Sequence, residues 1–121
     1  ATLIIDYRGY GRSDPRQPDE KGTYLDAWAA HNWITKRHPK TILYGESLGT
    51  AIAAELATKT DVAGVILEEP FTSIPEVGQK LFPFLPVRLL AKNKYDTLSK
   101  MPNLRAPLLI FHSRDDEFFP F

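Results

Sequence analysis

The chain contains no cysteine, which excludes thiol catalysis, metal sites built from thiolates and disulfide bonds. Basic and acidic side chains number 15 each, so no net field attracts nucleic acid or an anionic membrane surface, and no nucleic-acid partner is expected. No apolar run approaches the roughly 20 residues of a membrane-spanning helix. The single methionine is Met101, and the chain opens at Ala1 on an apolar stretch, so we expect a fragment of a longer protein.

Short apolar segments alternate with helical patterns along the chain. Four of these segments are predicted β-strands, at residues 2–6, 41–44, 62–67 and 107–112. Helices are predicted between the first three strands, at residues 24–36 and 48–59. This alternation is typical of βαβ units, so we expect one α/β domain with flanking helices and a parallel sheet of about four strands. The third strand is expected to lie between the second and the fourth.

The two predicted helices differ in their signals. Thr23 is the predicted N-cap of the first helix, with Asp26 in the place of a capping-box acid. Large apolar side chains recur at helical spacing along it: Leu25, Trp28 and Trp33. The second helix is rich in alanine, whose small side chain permits close approach to a sheet. Prolines interrupt residues 71–104, where we expect an irregular insertion before the last strand.

The sequence Gly45-Glu-Ser47-Leu-Gly49 lies between a predicted strand and a predicted helix. In that position, Gly-x-Ser-x-Gly indicates a nucleophile elbow, a tight and often strained turn that projects the serine hydroxyl above the sheet. The flanking glycines are expected to allow close approach of neighbouring backbone. The N–H of Leu48, at the positive end of the helix, is placed to face a developing oxyanion. We therefore predict Ser47 as a nucleophile with a strained backbone.

An acidic loop follows the last predicted strand, with Asp115, Asp116 and Glu117 at its centre. Ligands of parallel sheets gather beyond the carboxyl ends of the strands, so this loop and Ser47 are expected at the same edge. A carboxylate there would hold the imidazole of a catalytic histidine in the correct tautomer.

A serine nucleophile also requires a general base. His31 and His38 lie on or just after the first predicted helix, where a solvated helix face is expected. His112 precedes the acidic loop and is expected to be a structural loop residue. No histidine follows it in the chain. The general base is therefore expected outside the chain, and the isolated chain is predicted to be inactive.

Together these motifs resemble the α/β-hydrolase superfamily, in particular its serine-aminopeptidase-like and monoacylglycerol-lipase-like members. The resemblance rests on four stretches in the family's order: Asp6-Tyr-Arg-Gly-Tyr-Gly-Arg-Ser13, Gly45 to Gly49, Leu67-Glu-Glu-Pro-Phe-Thr-Ser73 and His112 to Pro120. It implies an α/β-hydrolase fold, of which residues 1–121 would cover the central part. Residues 71–104 would be its lid-like insertion.

The resemblance also implies roles for single residues. Ser47 would be the nucleophile and Leu48 one oxyanion donor. Asp116 would be the catalytic acid, with Asp115 as the alternative one residue earlier. The catalytic histidine and the second oxyanion donor would lie in parts of the family's fold that the chain lacks.

Two features leave alternatives open. Glu68 and Glu69 follow the preceding strand, where some members of the superfamily carry the acid. The apolar stretch at residues 81–87 would either line a substrate site or make ordinary core contacts.

Two functions fit this sequence. The first is a serine hydrolase that cleaves an ester, thioester or amide bond of a small, partly apolar acyl substrate, without a cofactor or metal. The second is a non-catalytic binding or regulatory protein of the same fold. Association with a membrane stays open, and both a cytoplasmic and a membrane-associated location are compatible with the sequence.

Overall fold

The computed structural model describes residues 1–113. Its elements, in chain order, are helix α1 (Glu20–Thr35), strand β1 (Ile42–Glu46), helix α2 (Leu48–Lys59), strand β2 (Gly64–Glu68), helices α3 (Ile74–Leu81) and α4 (Val87–Leu90), a 3₁₀ helix (Leu98–Asn103) and strand β3 (Leu108–Phe111). The α/β class predicted from the sequence is confirmed. None of the helices in this part of the chain has the length and apolar character that a membrane crossing needs.

Three parallel strands form the sheet, in the order β1-β2-β3. The predicted order is therefore confirmed, with the strand from the middle of the chain at the centre. The register pairs Glu46 with Glu68, and Glu68 with Phe111. All three strands thus end at the same level, so the residues that follow them share one edge of the sheet.

The prediction of a further strand at residues 2–6 is wrong, and within residues 1–113 the sheet has three strands rather than about four. Residues 1–6 adopt no regular secondary structure, and Leu3 and Ile4 are exposed. The apolar, β-branched composition indicated a strand. A strand also requires a neighbour that pairs with its backbone N–H and C=O groups, and composition does not report whether one is present.

Helix α2 packs its alanine-rich face on the sheet, as predicted. Ala51 and Ala54 are completely buried, and Ile52 is nearly so. One side of α2 joins a cluster that includes Ala27 of α1 and Phe71, while the other packs against β2. Because the side chains between helix and sheet are small, the first turn of α2 lies close against the end of β1.

Helix α1 begins at Glu20, earlier than predicted, and its N-cap is Asp19 rather than Thr23. The Asp19 carboxylate accepts a hydrogen bond of 2.6 Å from the N–H of Gly22. Thr23 is instead completely buried, and its hydroxyl lies 3.0 Å from the hydroxyl of Tyr95. The predicted capping box is therefore wrong, because Thr23 bonds to a partner 72 residues away in sequence.

The face of α1 that packs against α2 is not the one that its large apolar residues mark. These side chains are each about half exposed: Leu25, Trp28 and Trp33. Ala27 and His31 are buried instead. The expectation of a solvated position is wrong for His31, whereas His38 is exposed as expected. Burial lowers the pKa of His31, because the charged imidazolium would lose its hydration.

Polar contacts attach the predicted insertion to both helices. Lys100 donates a hydrogen bond of 2.7 Å to the Tyr24 hydroxyl and lies 3.5 Å from the Glu55 carboxylate. The Tyr24 hydroxyl donates in turn to Glu20 at 2.8 Å. Burial, followed by the hydrogen bond to Glu20, raises the pKa of Tyr24, so its hydroxyl stays protonated and able to donate.

The apolar stretch of the insertion makes no core. Its large side chains are all exposed: Leu81, Phe82, Phe84 and Leu85. Of the two interpretations left open by the sequence, ordinary core contact is therefore wrong for these four residues. The role of residues 71–104 as a lid stays a prediction.

The buried hydroxyl pair of Thr23 and Tyr95 is expected to couple energetically. Thr23→Val should destabilise the chain by about 1–3 kcal/mol, because the Tyr95 hydroxyl loses its partner. Tyr95→Phe should cost less, about 1 kcal/mol, because the Thr23 hydroxyl still bonds to the carbonyl of Glu20. The double variant should be more stable than the sum of the two losses implies. Urea unfolding of the four proteins measures the coupling, and strictly additive losses would contradict it.

Buried His31 is expected to make the chain less stable in mild acid. Its pKa in the folded chain lies below the ordinary 6.5, so the unfolded chain binds the proton more readily. Stability should therefore fall as the pH is lowered from about 7 through the unfolded pKa of about 6.5. His31→Leu should flatten this fall in urea midpoints between pH 7 and 5, and His38→Leu, at an exposed position, should not. Equal slopes for all three proteins would contradict the assignment.

Candidate active site

Ser47 occupies the single residue between β1 and α2, and its backbone is in an unusual conformation. Its φ is 50° and its ψ is −116°, a combination that residues other than glycine seldom adopt. The N–H of Ser47 donates to the carbonyl of Glu68 at 3.0 Å, and its own carbonyl accepts from the N–H of Thr50 at 3.0 Å. These bonds attach the turn to β2 and to the first turn of α2. The predicted strained backbone of Ser47 is confirmed.

The two glycines that flank the turn differ in what requires them. A Cβ on Gly45 would lie 2.3 Å from the carbonyl oxygen of Gly49, so no side chain fits there while α2 keeps its position. A Cβ on Gly49 would meet nothing within 4 Å. Close approach of backbone therefore explains Gly45 and not Gly49, which corrects the expectation that both glycines serve this purpose.

Ser47 is exposed, and its hydroxyl does not cap the helix that it precedes. Leu48 is the first residue of α2, and the N–H groups of a first helical turn have no acceptor within the helix. These groups carry the positive end of the helix dipole and favour an anion in front of them. The arrangement therefore brings the hydroxyl of Ser47 and the N–H of Leu48, the two predicted site residues in the described part, next to each other.

Carboxylates gather at the same edge of the sheet. Glu46 and Glu68 end β1 and β2 as direct neighbours in register. The Tyr44 hydroxyl donates a hydrogen bond to the Glu68 carboxylate. This hydrogen bond raises the pKa of Tyr44, because ionisation would place two negative charges together. Glu68 thus faces a partner on β1 rather than an imidazole.

Glu69 is the second residue near the site with a positive φ, at 51°. Its Oε1 accepts a hydrogen bond of 2.8 Å from the N–H of Ser113. Its Oε2 lies 3.4 Å from Nδ1 of His112, whose side chain is almost buried. The structure thus brings Glu69, a distant alternative for the catalytic acid, into contact with His112, which was expected to be a structural loop residue. No local signal in the sequence marks this contact, because 43 residues separate Glu69 from His112 (112 − 69 = 43).

The loop of residues 7–15 is held by the residues of its own motif. Arg12 donates its N–H to the Asp6 carboxylate at 3.1 Å, and Ser13 donates its hydroxyl to the Asp6 carbonyl at 2.6 Å. Gly11 has a φ of 51°, and a Cβ there would lie 2.2 Å from the Asp6 carboxylate. The positive φ therefore favours glycine, and a side chain there would also displace the Asp6 carboxylate.

Arg8 attaches this loop to α1. Its guanidinium donates to both carboxylate oxygens of Asp26, at 2.7 Å from Nη2 and 3.0 Å from Nε, and its backbone N–H donates at 3.0 Å. The Arg8 hydrogen bonds hold the pKa of Asp26 below its ordinary value. The spacing from Thr23 indicated a helix-cap role for Asp26, and nothing local in the sequence marks its pair with Arg8, although Arg8 lies inside the recognised motif.

The predicted acid lies outside the described residues. This applies to Asp116, to its alternative Asp115 and to Glu117. Two concavities in the described part, of about 330 and 430 Å³, are lined by residues of α1 and of the loops around it, and neither includes Ser47. Residues 1–113 also hold no group of three or more side chains suited to bind a metal.

Comparison with known proteins identifies the family. Residues 1–98 match a family model described as serine aminopeptidase, S33. An uncharacterized protein of Mycobacterium tuberculosis is 39% identical over 124 aligned residues, which cover 99% of this chain and 44% of that protein. The alpha/beta hydrolase domain-containing protein 17B of Xenopus laevis is 35% identical, covering 96% of this chain and 40% of that protein. The chain thus spans less than half the length of these relatives.

A solved structure has the same fold. An esterase of Pyrococcus furiosus superposes with a TM-score of 0.72 at 18% identity, over 95% of this chain and 50% of that one. At this identity the likeness concerns the fold alone. It confirms an α/β-hydrolase architecture for the elements around Ser47.

The two glycines of the elbow provide a matched pair of variants. Gly45→Ala should destabilise the chain by about 1–3 kcal/mol, because the new methyl group collides with backbone that cannot move without displacing α2. Gly49→Ala should be neutral or stabilising by up to about 1 kcal/mol, because the position is helical and its surroundings are open. Urea unfolding of both variants tests the contrast, and equal destabilisation would contradict the close approach seen at Gly45.

Proposed function

The chain belongs to the serine aminopeptidase S33 family of α/β-hydrolases, and on that premise we propose that Ser47 is the nucleophile of a serine hydrolase. The bond cleaved would be an ester, a thioester or an amide. The observation that carries the proposal is the backbone of Ser47, with a φ of 50° at the junction of a strand and a helix. A strained conformation persists only where the surrounding structure imposes it, and such residues cluster at active sites.

Exposure and hydrogen bonding of Ser47 support this role. The residue is exposed, and its backbone bonds to Glu68 and Thr50 fix the turn while leaving the hydroxyl outside the helix cap. A serine with only a structural task at this position would be expected to cap the N–H groups of α2. An exposed hydroxyl beside free N–H groups suits attack on a carbonyl carbon.

The chemistry that we propose proceeds in two stages. The Ser47 hydroxyl loses its proton to a general base and its oxygen attacks the carbonyl carbon, so that the carbonyl oxygen becomes an oxyanion. The N–H of Leu48 would donate one hydrogen bond to that oxyanion. Collapse of this intermediate breaks the bond to the leaving group, which takes the proton from the base, and leaves an acyl-serine. Water then loses a proton to the base and attacks the ester carbon. The acid is released as the base returns that proton to the Ser47 oxygen.

The general base and the acid complete this proposal. We place the base on a histidine outside the chain. His31 is buried in α1, and His38 is exposed beyond the end of that helix. The side chain of His112 is almost buried beside Glu69. Asp116, with Asp115 as the alternative, is proposed as the acid. The position of β3 next to β2 supports this assignment, because the residues after β3 begin at the edge where Ser47 lies.

The substrate is proposed to be partly apolar. Exposed side chains of the insertion supply an apolar surface: Leu81, Phe82, Phe84, Leu85, Leu89 and Leu90. Exposed apolar residues that concentrate in one segment, rather than occurring singly, are typical of a binding region. No cofactor or metal is required by the chemistry.

Labelling with a fluorophosphonate probe tests the nucleophile without knowledge of the substrate. In a protein that contains the whole hydrolase domain, the probe should label Ser47, and Ser47→Ala should abolish labelling and lower esterase turnover by at least about 10³-fold. Ser99→Ala, at an exposed serine of the 3₁₀ helix, should be labelled like the wild type.

The isolated chain of 121 residues should hydrolyse p-nitrophenyl acetate no faster than its Ser47→Ala variant. Labelling that survives Ser47→Ala, or no labelling of the whole domain, would overturn the assignment. The second result would favour a non-catalytic binding protein.

A further inference from the structure

Glu69 combines a strained backbone with a side chain that reaches the next strand. It follows β2, and its φ of 51° is in the left-handed region that favours glycine. Its N–H donates to the carbonyl of Phe111 at 2.9 Å, so the ladder between β2 and β3 continues through this residue. A glutamate at a glycine-like position indicates that the side chain is needed there.

The side chain of Glu69 contacts both of the first two residues after β3. Oε1 accepts from the N–H of Ser113 at 2.8 Å, and Oε2 lies 3.4 Å from Nδ1 of His112. The side chain of His112 is only 9% exposed, and Oε2 itself is buried. The carboxylate therefore fixes the main chain through one oxygen and lies against the imidazole with the other.

These residues lie level with the nucleophile. Ser47, Glu69 and His112 each directly follow the last residue of β1, β2 and β3, and the ends of these strands are in register. The N–H of Ser47 bonds to the carbonyl of Glu68, the residue before Glu69. One continuous set of backbone bonds thus connects the nucleophile turn to Glu69 and onward to the start of the acidic loop.

We propose that Glu69 is a positioning residue, whose carboxylate fixes His112 and Ser113 and so sets where the chain leaves β3 towards Asp115 and Asp116. The proposal rests on the proposed function for its catalytic consequence. Its structural part, the anchoring of Ser113 by Glu69, does not depend on that function. In this role Glu69 touches neither substrate nor reacting atoms, and it acts through His112 and Ser113.

Two substitutions at Glu69 distinguish the loss of its hydrogen bond to Ser113 from the loss of its charge and from a general loss of stability. Glu69→Gly removes the carboxylate but suits the positive φ, so the variant is expected to fold with an unchanged or higher melting temperature. Glu69→Gln keeps a carbonyl oxygen within reach of the Ser113 N–H and removes only the charge. Asp61→Asn is the matched control for loss of a carboxylate charge, because Asp61 is exposed between α2 and β2, at the opposite end of β2 from Glu69.

The experiment uses a protein with the whole hydrolase domain and measures two quantities. These are hydrogen exchange of the Ser113 amide by NMR, and kcat and KM for a p-nitrophenyl ester. Glu69→Gly should speed amide exchange by about tenfold or more and lower kcat by about 10–100-fold, the range for residues that orient a functional group, with KM nearly unchanged. Glu69→Gln should keep both the exchange rate and kcat within about threefold of the wild-type values, because its amide oxygen can still accept from the Ser113 N–H. Asp61→Asn should leave both unchanged.

Two results would overturn the proposal. Unchanged exchange and kcat in Glu69→Gly would show that the carboxylate anchors nothing. A loss of kcat in Glu69→Gln as large as in Glu69→Gly, with the Ser113 amide still protected, would show that the charge itself is required and that Glu69 is the acid. If the wild type has no Ser47-dependent turnover, the proposed function fails, and the exchange rates alone decide whether Glu69 anchors the loop.

Discussion

The close contact between the end of β1 and the first turn of α2 constrains everything that lies at the site. The Cβ position of Gly45 is 2.3 Å from the carbonyl oxygen of Gly49, so no side chain fits between strand and helix, and one residue connects them. Ser47 must reverse the chain by itself, which explains its φ of 50°. The same contact places the start of α2 beside the serine hydroxyl. Small side chains along α2 make this approach possible, since the completely buried Ala51 and Ala54 occupy little space.

Local patterns predicted those parts of the fold that depend on local interactions. The bounds of α2 followed from the elbow motif and the alanine-rich pattern after it, and the parallel sheet followed from the alternation of strands and helices along the chain. The start of α1 did not, because Thr23 carries the signal of an N-cap and is buried against Tyr95. The N–H of Glu20, where the helix begins, bonds to the side chain of Asn93, a partner that no window of neighbouring residues contains.

The candidate site likewise contains residues that a local motif predicts and residues that only contacts between distant parts of the chain bring together. Ser47 and Leu48 were found from the motif because the motif describes the geometry of one turn, and the structure has that turn. The contact of Glu69 with His112 arises from the register of β2 on β3, which the order of strands alone does not specify. A positive φ is also invisible in the sequence when the residue is a glutamate. Asp116 and Asp115 stay predictions, since they lie outside residues 1–113.

The paired hydrogen bonds of Arg8 and Asp26 have a consequence for natural variation. A planar guanidinium matches the two carboxylate oxygens, and lysine would keep the charge but lose the paired geometry. Replacement of either residue alone leaves the other half-buried with its charge uncompensated. The two positions are therefore expected to change together among relatives, as a single inherited unit. Covariation between residues 8 and 26 would be the trace of this pair in an alignment of the family.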